Sequence, residues 1–277
     1  MKLTCLSTVV LLVSLAGVSE AQTQPMSRFD HVSLVTGGDV PTAIQWYLTH
    51  IGGKAGSRPD HVWYGQTWIL IILANTPTFP TPPGMKATPK PSVGTALDHL
   101  AFSYPDIDAK VRELQAAGVK IVSLPRNVRG WYRTAFIEDP DGTSIELVED
   151  KARLGFHHVH LHAPSPEGEL TWIQNVFGGA RTKIKGRDTL DYGEMKLIFE
   201  KDAKAVRSTG HVIDHLCFLL GNFDGVLSDV REKGTKISVG PIKYGNPLVS
   251  GDMAFFESPN GTNFEVLTRK PDYVPPK

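Results

Sequence analysis

Four short stretches of this chain alternate apolar and polar positions in the same way: FDHVSL at 29–34, LDHLAF at 97–102, FHHVHL at 156–161 and IDHLCF at 213–218. Side chains two residues apart on a strand share a face, so each stretch predicts a β-strand with one apolar face. A histidine stands third in all four: His31, His99, His158 and His215. Each falls on the face opposite Val32, Leu100, Val159 or Leu216. One such match would carry no information, but four in register mark an internal repeat.

A stretch of helical period follows each strand. In DVPTAIQWYLTHIGG, Asp39 is placed to cap, Pro41 suits the first turn, and Ile44, Tyr47, Leu48 and Ile51 form one stripe. DIDAKVRELQAAG turns Ile107, Val111 and Leu114 inward and stops at Gly118. SPEGELTWIQNVFGG does the same with Leu170, Ile173 and Phe177, and NFDGVLSDVREKG with Phe223, Leu227 and Val230. Three short strand-like segments close each unit, ending in WILIIL, SIELV, MKLIF and NFEVL. The pattern predicts an α+β chain of four βαβββ units. Units one and two occupy residues 28–150, and units three and four occupy 155–270. Proline-rich TPTFPTPPGMKATPKPS (76–92) separates the first two units, and EDKARLG (149–155) is the expected hinge between the halves.

Composition narrows the function. The 277 residues carry 29 basic and 29 acidic side chains, a balance that argues against a nucleic-acid partner. MKLTCLSTVVLLVSLAGVSEA has the layout of a signal peptide ending at Ala21. Its apolar run from Leu6 to Val18 is shorter than the roughly 20 residues that span a bilayer. The expectation is an exported protein, periplasmic or extracellular, with no membrane anchor after residues 1–21 are removed. Cleavage takes Cys5 and leaves Cys217 alone, so no intrachain disulfide is expected. No Walker or dinucleotide motif occurs.

With these strands and with AFIEDPDGTSIELVE (135–149) and its diverged copy AFFESPNGTNFEVL (254–267), the chain resembles the vicinal oxygen chelate superfamily. That superfamily includes glyoxalase I, extradiol dioxygenases and bleomycin-resistance proteins. DPDG and SPNG read as turns between two strands. The resemblance implies two cup-shaped domains, each made of two units, at residues 28–150 and 155–270. It implies metal ligands on the inner faces: His31, His99 and Glu146 in the first cup, and His158, His215 and Glu265 in the second. Two imidazoles and a carboxylate suit Fe(II), Mn(II) or Zn(II) and leave positions open for a small oxygen-bearing substrate. An unpaired carboxylate within an apolar strand is costly, and a metal would remove that cost.

Departures from the resemblance shape the expectation further. A glyoxalase I site would have a second acid, where this chain has Ile71 or Ile72 in one unit and Ile198 in another; Glu200 lies two residues away. The set is closer to that of extradiol dioxygenases, which use the second cup. There His160 and His162 share the face of His158 and are candidates, with Tyr244, for orienting or deprotonating a substrate. His157 is expected to face away as a structural residue, His50 and His61 to lie on the surface or in loops, and Cys217 to be a buried inert thiol. The rival expectation is a metal-free module that sequesters a small molecule, as bleomycin-resistance proteins do. Two fused pairs supply in one chain what single-pair relatives obtain by dimerising, so monomer and homodimer both remain open.

Overall fold

The computed structural model describes residues 27–56, 58–74, 88–245 and 250–269. The expected signal peptide and most of the proline-rich connector lie outside the described residues. The four units are present as predicted. Unit one contains β1 (Arg28–Thr36), α1 (Val40–His50), β2 (Lys54–Ala55), β3 (His61–Tyr64) and β4 (Thr67–Leu73). Unit two contains β5 (Leu97–Tyr104), α2 (Ile107–Ala116), β6 (Lys120–Asn127), β7 (Arg133–Glu138) and β8 (Ser144–Glu149). Unit three contains β9 (Gly155–Ala163), α3 (Pro166–Phe177), β10 (Ala180–Ile184), β11 (Arg187–Asp191) and β12 (Lys196–Lys201). Unit four contains β13 (Ile213–Leu219), α4 (Phe223–Glu232), β14 (Ile237–Gly245), β15 (Ser250–Glu257) and β16 (Asn263–Leu267). Each helix starts on a side-chain cap, Asp39, Asp106, Ser165 or Asn222, which accepts a hydrogen bond from a backbone amide of the first turn. No helix among the described residues is long and apolar enough to cross a membrane.

Two eight-stranded sheets result, in the orders β14-β15-β16-β13-β1-β4-β3-β2 and β10-β11-β12-β9-β5-β8-β7-β6. The first joins unit one to unit four, and the second joins unit two to unit three. This corrects the expected pairing of consecutive units and the division into cups at 28–150 and 155–270. The physical reason is connector length. Between Glu149 and Gly155 the chain must cross only β5, roughly 10 Å, and residues 150–154 reach roughly 17 Å at full stretch. So short a link keeps units two and three in one sheet, and 149–155 is a within-sheet loop rather than a hinge between cups. Changes of sheet fall on the two longer connections, 74–96 and 202–212, whose described residues meet at the bridges Lys90–His211 and Thr95–Val206.

Consecutive units do meet, but back to back across the core. One apolar cluster draws on all four units, from Val32, Leu34 and Tyr47 through Leu100, Val159 and Phe177 to Leu216 and Phe264. Tyr47 on α1 donates to Asp139 in the DPDG turn (2.8 Å), and Glu169 on α3 accepts from Ser258 and Thr262 around the SPNG turn (both 2.6 Å). Gly142 and Gly261 take φ of +96° and +86° in these turns, a backbone that side-chain-bearing residues adopt poorly. With one face of each sheet buried against this core, the other face curls into a cup, and the alternating histidines point there.

Candidate metal centres

The 1/4 cup gathers His31 from β1 with His215 and Glu265 from unit four. The Nε2 atoms of both histidines lie 3.3 Å from Glu265 Oε2, and all three residues are buried. The 2/3 cup gathers His99 and Glu146 from unit two with His158 from unit three. Glu146 Oε2 lies 3.4 Å from His158 Nε2 and 3.7 Å from His99 Nε2. All six predicted ligands therefore fall in cups, but they are regrouped. The strand order makes His31–His215–Glu265 and His99–Glu146–His158 the sets that meet, in place of His31–His99–Glu146 and His158–His215–Glu265.

Each ring is aimed by the residue before it. Asp30 holds His31 Nδ1 at 2.9 Å, Asp98 holds His99 Nδ1 at 2.7 Å, and Asp214 holds His215 Nδ1 at 2.8 Å. A carboxylate on Nδ1 takes the ring's proton there and turns the Nε2 lone pair into the cup. The dipeptide Asp-His in three of the four strands was the available signal for this support. Arg269 clamps both oxygens of Asp30 (2.9 and 2.6 Å) and so fixes the orientation of His31 from outside. In the third strand His157 stands where the aspartates stand. Its Nδ1 is 2.8 Å from His158 Nδ1 and its Nε2 is 3.3 Å from Asp150, so Asp150–His157–His158 forms a relay. His157 does not face away; its ring reaches back to His158 Nδ1. Glu146 is aimed in the same manner, because Oε1 accepts from Trp131 Nε1 (2.9 Å) and Thr134 Oγ1 (2.6 Å), which leaves Oε2 for the cup.

Charge and burial favour a cation in both cups. Burial alone would lower the His99 and His215 pKa values. Asp98 and Glu146 outweigh it for His99, Asp214 and Glu265 for His215, and both are lifted to about 9. Burial would raise the Glu146 carboxyl, but His158 and His99 hold it well below the ordinary carboxylate value. Burial dominates at His158 and pushes it down to about 3. His31 Nε2, His215 Nε2 and Glu265 Oε2 in one cup, and His158 Nε2 and Glu146 Oε2 in the other, are buried without a hydrogen-bond partner. Buried polar atoms are rarely left so, and five of them converging as two donor sets fit a divalent metal in each cup.

The cups differ beyond these triads. Register places Glu146 beside Ala101 and Glu265 beside Cys217, each two residues after a ligand histidine. The matching positions on the other two strands are Leu70, beside Ser33, and Ile198, beside His160. A second acid is absent from both, as expected, although the position in unit one is Leu70 rather than Ile71 or Ile72. His160 adds a fourth donor to the 2/3 cup, with Nδ1 3.0 Å from His99 Nε2. A cavity of about 160 Å³ opens there, walled by Arg126, Trp131, Arg187 and Glu200 together with His99, Glu146 and His160. The Arg187 guanidinium lies 4.3 Å over the Trp131 ring and is paired with Glu200.

Of the remaining sequence candidates, His162 is not in the cavity wall; it sits 3.4 Å from Asp98 and 3.9 Å from Asp202. Tyr244 belongs to the other sheet, far along the fold from His158, where its hydroxyl donates to the Thr268 carbonyl (2.8 Å) and burial pushes its pKa up to about 12. His61 is buried, not on the surface, stacked on Trp68 at 3.7 Å within the 1/4 cup. His50 does lie at the helix end, against Trp46. Cys217 is fully buried and its thiol is pushed up by burial, then by Glu265 and Asp30, which keeps it protonated.

Comparison with known proteins agrees with this geometry. The uncharacterized protein YaeR of Escherichia coli is 39% identical over 72 residues, covering 26% of this chain and 54% of that protein, so only about half of that relative is matched. A probable lactoylglutathione lyase of Synechocystis is 24% identical over 131 residues, 44% of this chain and 95% of that protein. The structure of glyoxalase I from Zea mays superposes with a TM-score of 0.64 at 18% identity, covering 87% of this chain and 92% of that one, which shows a shared fold. Residues 28–147 match the family described as Glyoxalase/Bleomycin resistance protein/Dioxygenase superfamily. The family match is to residues 28–147, and over the described chain as a whole the likeness to glyoxalase I of Zea mays is one of fold, the paired-module arrangement of βαβββ units.

Proposed function

We propose that the protein is a metal-dependent enzyme that acts on a small oxygen-bearing molecule in the 2/3 cup. The observation that carries this is the meeting of His99, Glu146 and His158, the first two of which line a cavity, with the buried donors His158 Nε2 and Glu146 Oε2 unpartnered. His99, Glu146 and His158 would hold the ion, with Fe(II), Mn(II) and Zn(II) as the candidates. A bound divalent ion supplies Lewis acidity to adjacent substrate oxygens.

The protein's own groups do the rest. Asp98 and the Asp150–His157 relay keep two ring protons away from the cup, and Trp131 with Thr134 keeps one carboxylate oxygen turned inward. Arg126 and Arg187 put positive charge on the wall, and Trp131 offers a flat apolar one, a lining suited to a small planar or anionic molecule. His160 lies in the same wall, whereas His162 and Tyr244 have no place in it.

Metal analysis of purified wild type, His158→Ala and Glu146→Gln is the test, together with turnover before and after chelation. Lactoylglutathione lyase activity is the first assay to run, because relatives bear that name. The reading predicts metal in the wild type, its loss from the 2/3 cup in both variants, and turnover that chelator abolishes. Ligand-induced stabilisation indifferent to chelator, with no turnover, would establish the metal-free binding module instead. We further propose export, on the layout of residues 1–21; a mature N-terminus at Gln22 by mass spectrometry is the expected result.

A further inference from the structure

We infer that His160 is a fourth ligand of the 2/3 centre, binding through Nδ1, so that this cup offers three imidazoles and one carboxylate while the 1/4 cup offers two and one. The inference rests on the reading that the 2/3 cup holds a divalent ion.

Three observations lead to it. The first is register. Two residues after His158 the chain has His160, paired with Ile198, the position where the symmetry of Ala101–Glu146 and Cys217–Glu265 would put an acid. Ile198 is fully buried and offers no donor, so the missing ligand is replaced from the adjoining strand in the same row. In the 1/4 cup the corresponding pair is Ser33–Leu70, and no imidazole stands there.

The second is spacing. Nδ1 of His160 lies 3.0 Å from His99 Nε2. Two nitrogens each at about 2.1 Å from one ion are separated by roughly 3.0–3.4 Å for bond angles between a right angle and tetrahedral. One donor atom from each of His99, Glu146, His158 and His160 falls within 4.8 Å of all the others.

The third is the placing of protons. Asp98 takes the Nδ1–H of His99, so His99 Nε2 presents a lone pair to the cup. A neutral His160 has one N–H. On Nδ1 it would reach His99, but Nε2 would then turn a lone pair on Glu200 Oε2 at 3.1 Å, acceptor against acceptor. On Nε2 it faces Glu200, which leaves Nδ1 turned into the cup 3.0 Å from His99 Nε2, where a bound ion would draw on both nitrogens. His160 Nε2 makes no well-angled hydrogen bond as it stands. A small rotation of the ring as Nδ1 takes the ion would complete Nε2–H to Glu200. Glu200, itself held by Arg187, then backs His160 as Asp30, Asp98 and Asp214 back the other rings.

Cu(II) is the probe, loaded into a His215→Ala protein so that only the 2/3 cup is filled, with Glu265→Gln as the substitute background if His215→Ala does not fold. Electron paramagnetic resonance is expected to show superhyperfine coupling to three nitrogens, falling to two in His160→Ala and in His160→Gln. Copper affinity should fall by more than 100-fold in His160→Ala, and by 10- to 100-fold in Glu200→Gln with three nitrogens retained. Thermal unfolding of each variant checks that it is folded. Two nitrogens in both the parent and His160→Ala, with equal affinity, would overturn the assignment and leave the metal reading standing. No copper bound in the parent background would remove both.

Discussion

The two cups share a backbone plan and a His–His–Glu triad, yet they present different surroundings to it. In the 1/4 cup the triad is sealed among Trp68, which lies 4.1 Å from the His31 ring, Phe255 at 5.1 Å from His215, and the buried side chains of Leu70, Met253 and Leu267. In the 2/3 cup His99 and Glu146 of the triad join His160, Arg126, Arg187 and Glu200 around an open cavity. Strand position decides which candidate donors meet. The residue two places further along each histidine strand, Ser33, Ala101, His160 or Cys217, and the lining of the wall decide what else is there. A repeated unit thus keeps its donor geometry while the 2/3 cup is walled by charged and imidazole groups and the 1/4 cup mainly by buried aromatic and aliphatic ones.

The largest effect that would break this contrast is on turnover. His158→Ala should lose one metal per chain and more than about 100-fold in activity, since even outer partners of a metal ligand are worth 10- to 100-fold. His215→Ala should also lose one metal but should cost mainly thermal stability. The reverse ranking in metal analysis and initial rates would move the chemistry to the 1/4 cup. Next in size is Leu70→Glu, which puts a carboxylate at the register position of Glu146 and Glu265. Denaturant unfolding of the metal-free variant should show a loss of about 3–5 kcal/mol for the buried charge. Added Zn(II) should recover much of it, since a fourth ligand would then be available.

The relay behind His158 is a finer probe. His157→Asp restores what the other three strands have and should keep metal affinity within about tenfold. His157→Leu removes the hydrogen bond and should weaken affinity about 10- to 100-fold, read by competition with a chromophoric chelator. A further probe of the metal-free cups is pH dependence. In the metal-free protein His99 and His215 have folded pKa values of about 9 against 6.5 unfolded. The stability they contribute is therefore full below about pH 6.5 and is lost as pH rises through 9. Metal-loaded protein, whose ligand imidazoles are neutral, should lack that decline. A melting temperature equally flat from pH 6.5 to 9 in both forms would show that the histidines are not held as cations in the empty cups.

Much of this was legible along the chain. The period-two strands, the capped helices and the third-position histidines predicted the four units, because local alternation and capping are set by neighbours in sequence. His31, His99, Glu146, His158, His215 and Glu265 could be named as candidate donors because the resemblance implied them at matching positions of the repeat. The Asp before three of the histidines was also in plain view, and its meaning came only when Asp30, Asp98 and Asp214 proved to hold Nδ1. His157 and Glu200 were harder to place. The alternation that sends His157 to the opposite face says nothing of a ring reaching back to its neighbour. Glu200 looked two residues out of place until the pairing of β12 with β9 set it beside His162 and within reach of His160.

The sequence by itself determined the repeat and, through the resemblance it supports, the candidate donor residues, since the repeat depends on spacing within one unit. Only the tertiary structure decided which units share a sheet, and therefore which donors meet. The physical reason is that sheet pairing is a long-range contact: β1 lies against β13 and β5 against β9, in register that no local pattern records. The lengths of the connections at 74–96, 150–154 and 202–212 constrain that choice, and burial of one face of both sheets in a common core completes it.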